Sequence, residues 1–280
     1  MISAENICMS FHRTEVLHNL SFSLSGEKYG LLGTNGAGKT TLIRCLCGVY
    51  TPTRGVVQWN GQDIRKSRTF KQSLGYLPQS FGMFPELTLF EMLSYFCAMK
   101  GITEAEREKQ IRMATTQVNL EDKWNMKVKK LSGGMLRRAG IAQALLGEPD
   151  ILVFDEPTSG LDPEERVRFK NILHNVKEDR TVIISTHIVE DIETTCNNVI
   201  VIDEGQIVFS GTCSELQMLA RNKVFIVPEE YELPEGANIL KSYTLDGRNY
   251  SRVLADASSL GDAVPPSLED GYICLIKHVY

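Results

Sequence analysis

Gly33-Thr34-Asn35-Gly36-Ala37-Gly38-Lys39-Thr40 reads G-x-x-x-x-G-K-T, and Leu131-Ser132-Gly133-Gly134 follows it well downstream. Glycines let the backbone turn tightly and gather N–H groups around an anion. The apolar run Tyr29 to Leu32 predicts a strand entering the loop, and Thr41 to Cys47 a helix leaving it. The positive end of that helix falls where the anion would sit. Residues Gly33, Thr34, Asn35, Gly36, Ala37, Gly38, Lys39, Thr40 and Thr41 are therefore candidate nucleotide-binding residues. Lys39 is expected to reach the β- and γ-phosphates, and the Thr40 hydroxyl to ligate Mg²⁺.

Outward from the loop, the chain reads as an α/β protein. Ser21 to Leu24 alternates polar and apolar residues, and the region from Ile2 to Val57 predicts short strands and turns. Thr51-Pro52-Thr53-Arg54-Gly55 is turn chemistry, Val56 to Trp59 a strand, and Gly75 to Leu77 a short strand stopped by Pro78. From Thr88 to about Asn125 the pattern is helical, with Leu89, Met92, Leu93 and Phe96 on one face. The charged run Glu104 to Arg112 is expected to be a solvated helix face. Ile151 to Phe154, Val182 to Ile184 and Val199 to Ile202 are continuous aliphatic runs separated by helical stretches. That pattern predicts a parallel sheet covered on both faces. Past Leu219 the composition shifts. Val224 to Val227 and Ile273 to Ile276 read as strands, with Pro228, Pro234, Gly236, Gly247, Pro265 and Pro266 between them. The expected organisation is a domain over 1–220, with a helical insertion at about 85–147, and a mixed appendage over 221–280.

Composition narrows the partners. The chain has 280 residues, a net charge of −5 and a pI near 5.7, so no basic surface advertises nucleic acid. No apolar run approaches the ~20 residues that cross a bilayer. Met1 to Ser10 lacks the apolar core of a secretory signal, which predicts a protein kept in the cytosol. The seven cysteines, Cys8, Cys45, Cys47, Cys97, Cys196, Cys213 and Cys274, form no C-x-x-C pair and are expected to be buried small hydrophobes.

Four further positions carry chemistry. Asp155 and Glu156 end the aliphatic run from Ile151. The first is placed to hold Mg²⁺, the second to orient or deprotonate a water at the γ-phosphate. His187 follows the next aliphatic strand and can donate to that phosphate. Gln79 closes a strand at the entry to the helical insertion, where its amide can reach the metal and the water. Ser132 is a natural N-cap, and Ser132, Gly133 and Gly134 expose N–H groups at a positive helix end. That is a second phosphate site. Two chains related by a two-fold axis could each contribute one loop to each nucleotide.

Over residues 2 to 220 the chain resembles the ATP-binding cassette ATPases. Gly33 to Thr40 is similar to the Walker A loop, Gln79 to the Q-loop residue, Leu131 to Gly134 to the signature motif, and Ile151 to Glu156 to the Walker B strand. Ser159-Gly160-Leu161-Asp162 resembles the D-loop, with Asp162 its acid, and His187 the switch histidine. Phe11 stands where the family places an aromatic that stacks on adenine, and Met135 where many members have glutamine. The resemblance implies a P-loop NTPase core with an antiparallel β subdomain and a helical insertion. It also implies ATP and Mg²⁺ as cofactors, with Thr40, Gln79 and Asp155 on the metal. The implied assembly is a head-to-tail dimer, a homodimer being the expected form, coupled to an integral membrane permease at the cytoplasmic face. Ser80-Phe81-Gly82-Met83-Phe84-Pro85 is apolar for an exposed turn. It either packs under the insertion or forms a pocket for a coupling helix. Pro266-Ser267-Leu268-Glu269-Asp270-Gly271-Tyr272 is similar to the P-x-L-E-D-x-Y tail of ATPases that serve ABC-2-type exporters, as is Arg137-Arg138 after the signature. These features imply export of a drug, peptide or lipid. The alternative is a cassette that regulates or remodels a partner without moving solute.

Overall fold

The structure, a computed structural model, describes residues 1–256 and 260–279. They divide into two compact units, Met1–Val208 and Phe209–Tyr280.

In the first unit, four strands pair in the order β2-β1-β4-β5: β1 (Ile2–Phe11), β2 (Thr14–Leu24), β4 (Arg54–Trp59) and β5 (Gln62–Asp63). All their pairings are antiparallel. β1 and β2 are 10 and 11 residues long, not the short strands expected. Register shifts between Ala4 and Ile7 and on to Ser10 break their alternation, and Asn6 sits at φ +51°. Such bulges hide a long strand from a period-two pattern.

The second sheet runs β10-β9-β3-β8-β7-β6, built from β3 (Lys28–Leu32), β6 (Leu74–Leu77), β7 (Ile151–Asp155), β8 (Thr181–Thr186), β9 (Asn198–Asp203) and β10 (Gln206–Thr212). The β9-β3, β3-β8, β8-β7 and β7-β6 pairings are parallel. Every residue of β7 and β8 is buried, as their aliphatic runs predict. α1 (Lys39–Leu46) lies in the core shared by the two sheets, where Leu42 and Ile43 meet Ile2, Leu17, Val153 and Ile183. α2 (Arg68–Gln72) precedes β6.

The helical insertion contains α3 (Leu89–Met99), α4 (Glu104–Gln117) and α5 (Gly133–Leu145). Thr88 and Glu91 form a reciprocal capping box that starts α3. Leu89, Met92, Leu93 and Cys97 are buried, while Phe96 is only half-buried. Gly101, at φ +74°, ends that helix before α4. The charged run lies on α4 and is largely solvated, with exposed pairs Arg107–Glu104 and Arg112–Glu108. α6 (Pro163–His174) and α7 (Val189–Glu193) follow β7 and β8.

The second unit holds α8 (Cys213–Met218), α9 (Leu268–Ile276) and a sheet ordered β11-β13-β12, from β11 (Val224–Pro228), β12 (Asn238–Leu245) and β13 (Arg248–Leu254). It takes in α8, so compactness divides the chain upstream of the 220/221 boundary that composition suggests. Residues 257–259 and 280 of the appendage lie outside the described residues. One expectation is corrected here. Ile273 to Ile276 is the end of helix α9 and not a strand. The Ser267 side chain accepts from Asp270 N, and the Asp270 carboxylate accepts from Ser267 N, so a capping box starts a helix that the short apolar run then continues. Gly271 allows α9 to approach α8, because a Cβ there would lie 2.1 Å from the Leu216 carbonyl. The tail motif is thus the first turn of α9. Burial raises the pKa of its Asp270, but hydrogen bonds from Arg252 and Ser267 outweigh that and lower it from the ordinary carboxylate value. Six cysteines are buried as expected, and Cys213 is half-buried. Among the described residues no helix is long and apolar enough to cross a membrane.

Candidate active site

The parallel register brings the candidate residues to one edge of the sheet. Leu32 lies opposite Thr186, and Asp155 opposite Ser185. The ends of β3, β7 and β8 therefore deliver the glycine loop, the two carboxylates and His187 side by side, the usual place for a ligand in such sheets. Gly33 must be glycine here, since a Cβ would lie 2.3 Å from the Ile202 carbonyl. Gly38 caps α1 at φ +107°, a conformation that suits glycine.

A cleft of about 340 Å³ opens over this edge, lined by Val16, Thr34, Asn35, Gly36, Gly38, Lys39, Thr40, Thr41, Gln79 and Glu156. All but Val16 are residues that the sequence singles out. The Lys39 ammonium donates to the carbonyls of Gly33 (2.7 Å) and Thr34 (3.1 Å) and lies 3.6 Å from Glu156 Oε1. Burial lowers its pKa, and the charge of Glu156 opposes that shift. A desolvated cation at a helix N-terminus is a strong site for phosphate. Gly33 and Ala37 stand behind the lining. The Gly33 carbonyl holds Lys39, and Ala37 is buried.

Glu156 adopts φ +48°, which costs of order 1 kcal/mol or more for a residue with a Cβ. Its N–H is held by Ser185 Oγ (3.0 Å) and by the Ser185 carbonyl (3.1 Å). Its carboxylate is bracketed by Lys39 and by His187, whose Nδ1 lies 3.0 Å from Oε2. His187 therefore meets the carboxylate directly. Asp155 is fully buried. Its Oδ1 accepts from Ser185 Oγ (2.6 Å) and Thr40 Oγ1 (3.3 Å), while Oδ2 has no hydrogen-bond partner among the described residues. A fully buried, unpartnered carboxylate oxygen beside a threonine hydroxyl fits a hard divalent cation such as Mg²⁺.

Other predicted residues lie apart from this cleft. Ser132 caps α5 by accepting from Met135 N (3.2 Å), and Ser132 and Gly133 are exposed. Asp162 caps α6, accepting from Glu165 N (2.8 Å). Phe11 does not line the cleft. It is 38% exposed and packs edge-on against Tyr50, with centroids 5.4 Å apart.

An ABC transporter family model matches residues 17–159. The chain belongs to that family. It is an ABC transporter ATP-binding subunit and an ATPase. It is 36% identical over 222 residues to the linearmycin resistance ATP-binding protein LnrL of Bacillus subtilis strain 168, covering 77% of this chain and 70% of that one. It is 35% identical over 218 residues to the Nod factor export ATP-binding protein I of Paraburkholderia xenovorans strain LB400, covering 77% and 72%. Among solved structures it is similar to an ATP binding subunit of an ABC transporter, with a TM-score of 0.70, 28% identity, and coverage of 78% of this chain and 92% of that one.

Three contributors to this ABC ATPase's site escape motif reading. Val16 gives the cleft an apolar wall from β2, a position that looks like any strand residue. Ser185 bonds both carboxylate-bearing residues, yet reads as the end of an aliphatic run. Thr158 donates to the buried Asp191 carboxylate (2.6 Å), tying the segment after Glu156 to α7 after His187. Only the tertiary pairing reveals these two.

Proposed function

We propose that this ABC ATPase powers a separate integral membrane permease and exports a drug, peptide or lipid. The observation that carries this reading is the continuity of two sites. Gln79 lines the nucleotide cleft, and Phe81, two residues on, lines an apolar groove of about 530 Å³ with Leu74, Tyr76, Pro78, Phe96 and Met99. Phe84, Tyr95 and Met99 are 57%, 47% and 67% exposed beside it. Contiguous exposed apolar surface of this kind marks an interaction site. Its occupant is a short amphipathic helix of the permease. Lys71 and Lys100 also line the groove, so that helix carries an acidic group. The kinship to proteins named for linearmycin resistance and Nod factor export supports the direction of transport. The place of work is the cytoplasmic face of the membrane.

Within the cleft, Lys39 and the loop N–H groups bind the β- and γ-phosphates; the Phe11 ring, outside the lining, stacks on an adenine that extends beyond it. Thr40, Asp155 and Gln79 would hold Mg²⁺, which would supply positive charge to neutralise the phosphates. Glu156 orients the attacking water and accepts its proton, and His187 holds Glu156 and reaches the γ-phosphate. Ser132 and Gly133, exposed at the α5 N-terminus, and the half-buried Gly134 serve the nucleotide of a second copy. Asp162 lies at that same interface.

The test is co-purification and reconstitution. Tagged protein is captured with ATP from detergent-solubilised membranes of the source cells, and any multi-span protein retained is reconstituted with it in vesicles. Support requires ATPase activity stimulated by that protein and lost in Phe81→Glu. A partner that is soluble, or stimulation that survives Phe81→Glu, overturns the reading in favour of a regulatory cassette.

A further inference from the structure

Arg137 of α5 donates to five main-chain carbonyls. Its Nε reaches Pro157 O (3.0 Å), Nη1 reaches Pro78 O (3.4 Å) and Gln79 O (3.2 Å), and Nη2 reaches Asp155 O (3.3 Å) and Glu156 O (2.5 Å). These acceptors belong to two segments that leave the neighbouring strands β6 and β7 just past the paired Leu77 and Phe154, the turn at Gln79 and the end of β7. Both Gln79 and Glu156 present their side chains to that cleft. The guanidinium is the bridge between their backbones.

A cation used this way is unusual. Charge is ordinarily retired from solvent against a carboxylate, as in the neighbouring Arg138, which pairs with Glu165 at 3.1 Å. Burial pushes the Arg137 pKa down, with partial compensation from the charges of Asp155 and Glu156. The planar fork suits this task because its donors diverge in fixed directions, and one side chain can hold two segments in register. The strained φ of Glu156 needs such support. Its N–H is fixed by Ser185 and its carbonyl by Arg137.

The helix adds a direction. α5 begins at Ser132, the cap that Proposed function assigns to a second copy's nucleotide, and Arg137 follows within two turns of the same rigid element. Arg138 anchors that helix to the end of α4 through the carbonyls of Val118 (2.8 Å) and Asn119 (3.0 Å). α5 is thus tied by Arg138 to the insertion and by Arg137 to the catalytic edge.

We propose that Arg137 is a positioning residue that locks Gln79 and Glu156 at one spacing, so that the groove, the signature helix and the water-activating carboxylate move as a unit. This rests on the assignment of Glu156 and Gln79 made under Proposed function. Arg137 does not line the cleft. It acts through the two residues whose carbonyls it holds.

The experiment uses the full chain and reads ATPase turnover, affinity for ATP and melting temperature. Arg137→Ala is expected to lower kcat about tenfold or more while the dissociation constant for ATP moves less than about threefold, because misplacement of a reacting group by an ångström is that costly. Arg137→Lys restores the charge but cannot fork across both segments, so it is expected to stay slow. In a Gln79→Ala background, Arg137→Ala is expected to cost less than about twofold more, because without the Gln79 amide no amide-to-carboxylate spacing is left for the clamp to set. Full activity in either Arg137 variant overturns the proposal, as does multiplication of the two losses. A fall in ATP affinity parallel to the rate also overturns it, since that is the behaviour of a packing residue. If the alanine variant does not fold, the lysine variant decides. Glu156→Gln measured alongside separates the failures. If it turns over at the wild-type rate, the site assignment is wrong; if it is inactive while both Arg137 variants are fast, only the clamp is wrong.

Discussion

Glu156 and Asp155 are adjacent, buried and yet differently employed. Glu156 is aimed at the cleft between Lys39 and His187, whereas Asp155 is held from one side by Ser185 and Thr40 with its other oxygen unsatisfied among the described residues. Glu156→Gln keeps the shape and removes the base. ATP binding should survive and turnover should drop about a hundredfold or more, measured by phosphate release beside equilibrium binding of a fluorescent ATP analogue. Wild-type release would remove Glu156 from its role. Lys39→Ala should weaken ATP binding about tenfold or more, the worth of a charge-assisted hydrogen bond; unchanged affinity would count against the cradle. Ser185→Ala deletes a hydroxyl that serves both Asp155 and the Glu156 N–H. It should lower unfolding free energy by about 1–3 kcal/mol, because the buried Asp155 Oδ1 loses its shorter donor and keeps only the Thr40 hydroxyl at 3.3 Å; denaturant unfolding reads the loss. The candidate residues themselves were legible, since loop, acids and histidine follow a fixed order along the chain. Ser185 was not, because its importance comes from pairing with β7 and leaves no mark in its own neighbourhood of sequence.

At the scale of elements, the long helices and the buried parallel strands were readable because their periodicities are strong and their boundaries carry caps or glycines. The bulges of β1 and β2 hide the length of those strands from their sequence, and the four apolar residues Ile273 to Ile276 suit a strand as well as the helix α9 that they form. Its capping box, Ser267 with Asp270, was in plain view and decides the matter once the helix is packed. α3 ends in an electrostatic feature with a measurable consequence. Lys100, its C-cap, donates to Leu146 O (2.6 Å), and burial lowers its pKa from 10.5 to about 8. Between those two values the unfolded chain holds a proton that the folded chain releases, so stability rises with pH across that window. The slope is at most about 1.4 kcal/mol per pH unit. Below about pH 8 both states are protonated and the contribution is flat. Urea unfolding at pH 8 and pH 10 should therefore show the wild type gaining on Lys100→Met. An equal difference at both pH values would mean that Lys100 is not desolvated.

The whole molecule is incomplete as a catalyst if Ser132, Gly133 and Gly134 serve a second copy, for they do not line the cleft of their own chain. Ser132→Arg places a long charged side chain at that exposed helix start. It should leave ATP binding by the monomer intact and abolish ATP-dependent dimerisation of a Glu156→Gln background in size-exclusion chromatography with light scattering. A dimer that forms as before would refute the two-chain site. The sequence by itself determined the family, and it set out the order of the candidate nucleotide-binding segments and the roles proposed for Lys39, Asp155 and Glu156, because the phosphate loop and the acidic strand end are local patterns of residue type and spacing. Only the tertiary structure decided which partners hold those groups. The parallel register of β3, β8 and β7 places Ser185 between two carboxylate-bearing residues, and the approach of α5 to the strand ends puts the Arg137 guanidinium within reach of five carbonyls. Such contacts join residues distant along the chain, and their free energy depends on burial and direction, which no single stretch of sequence contains.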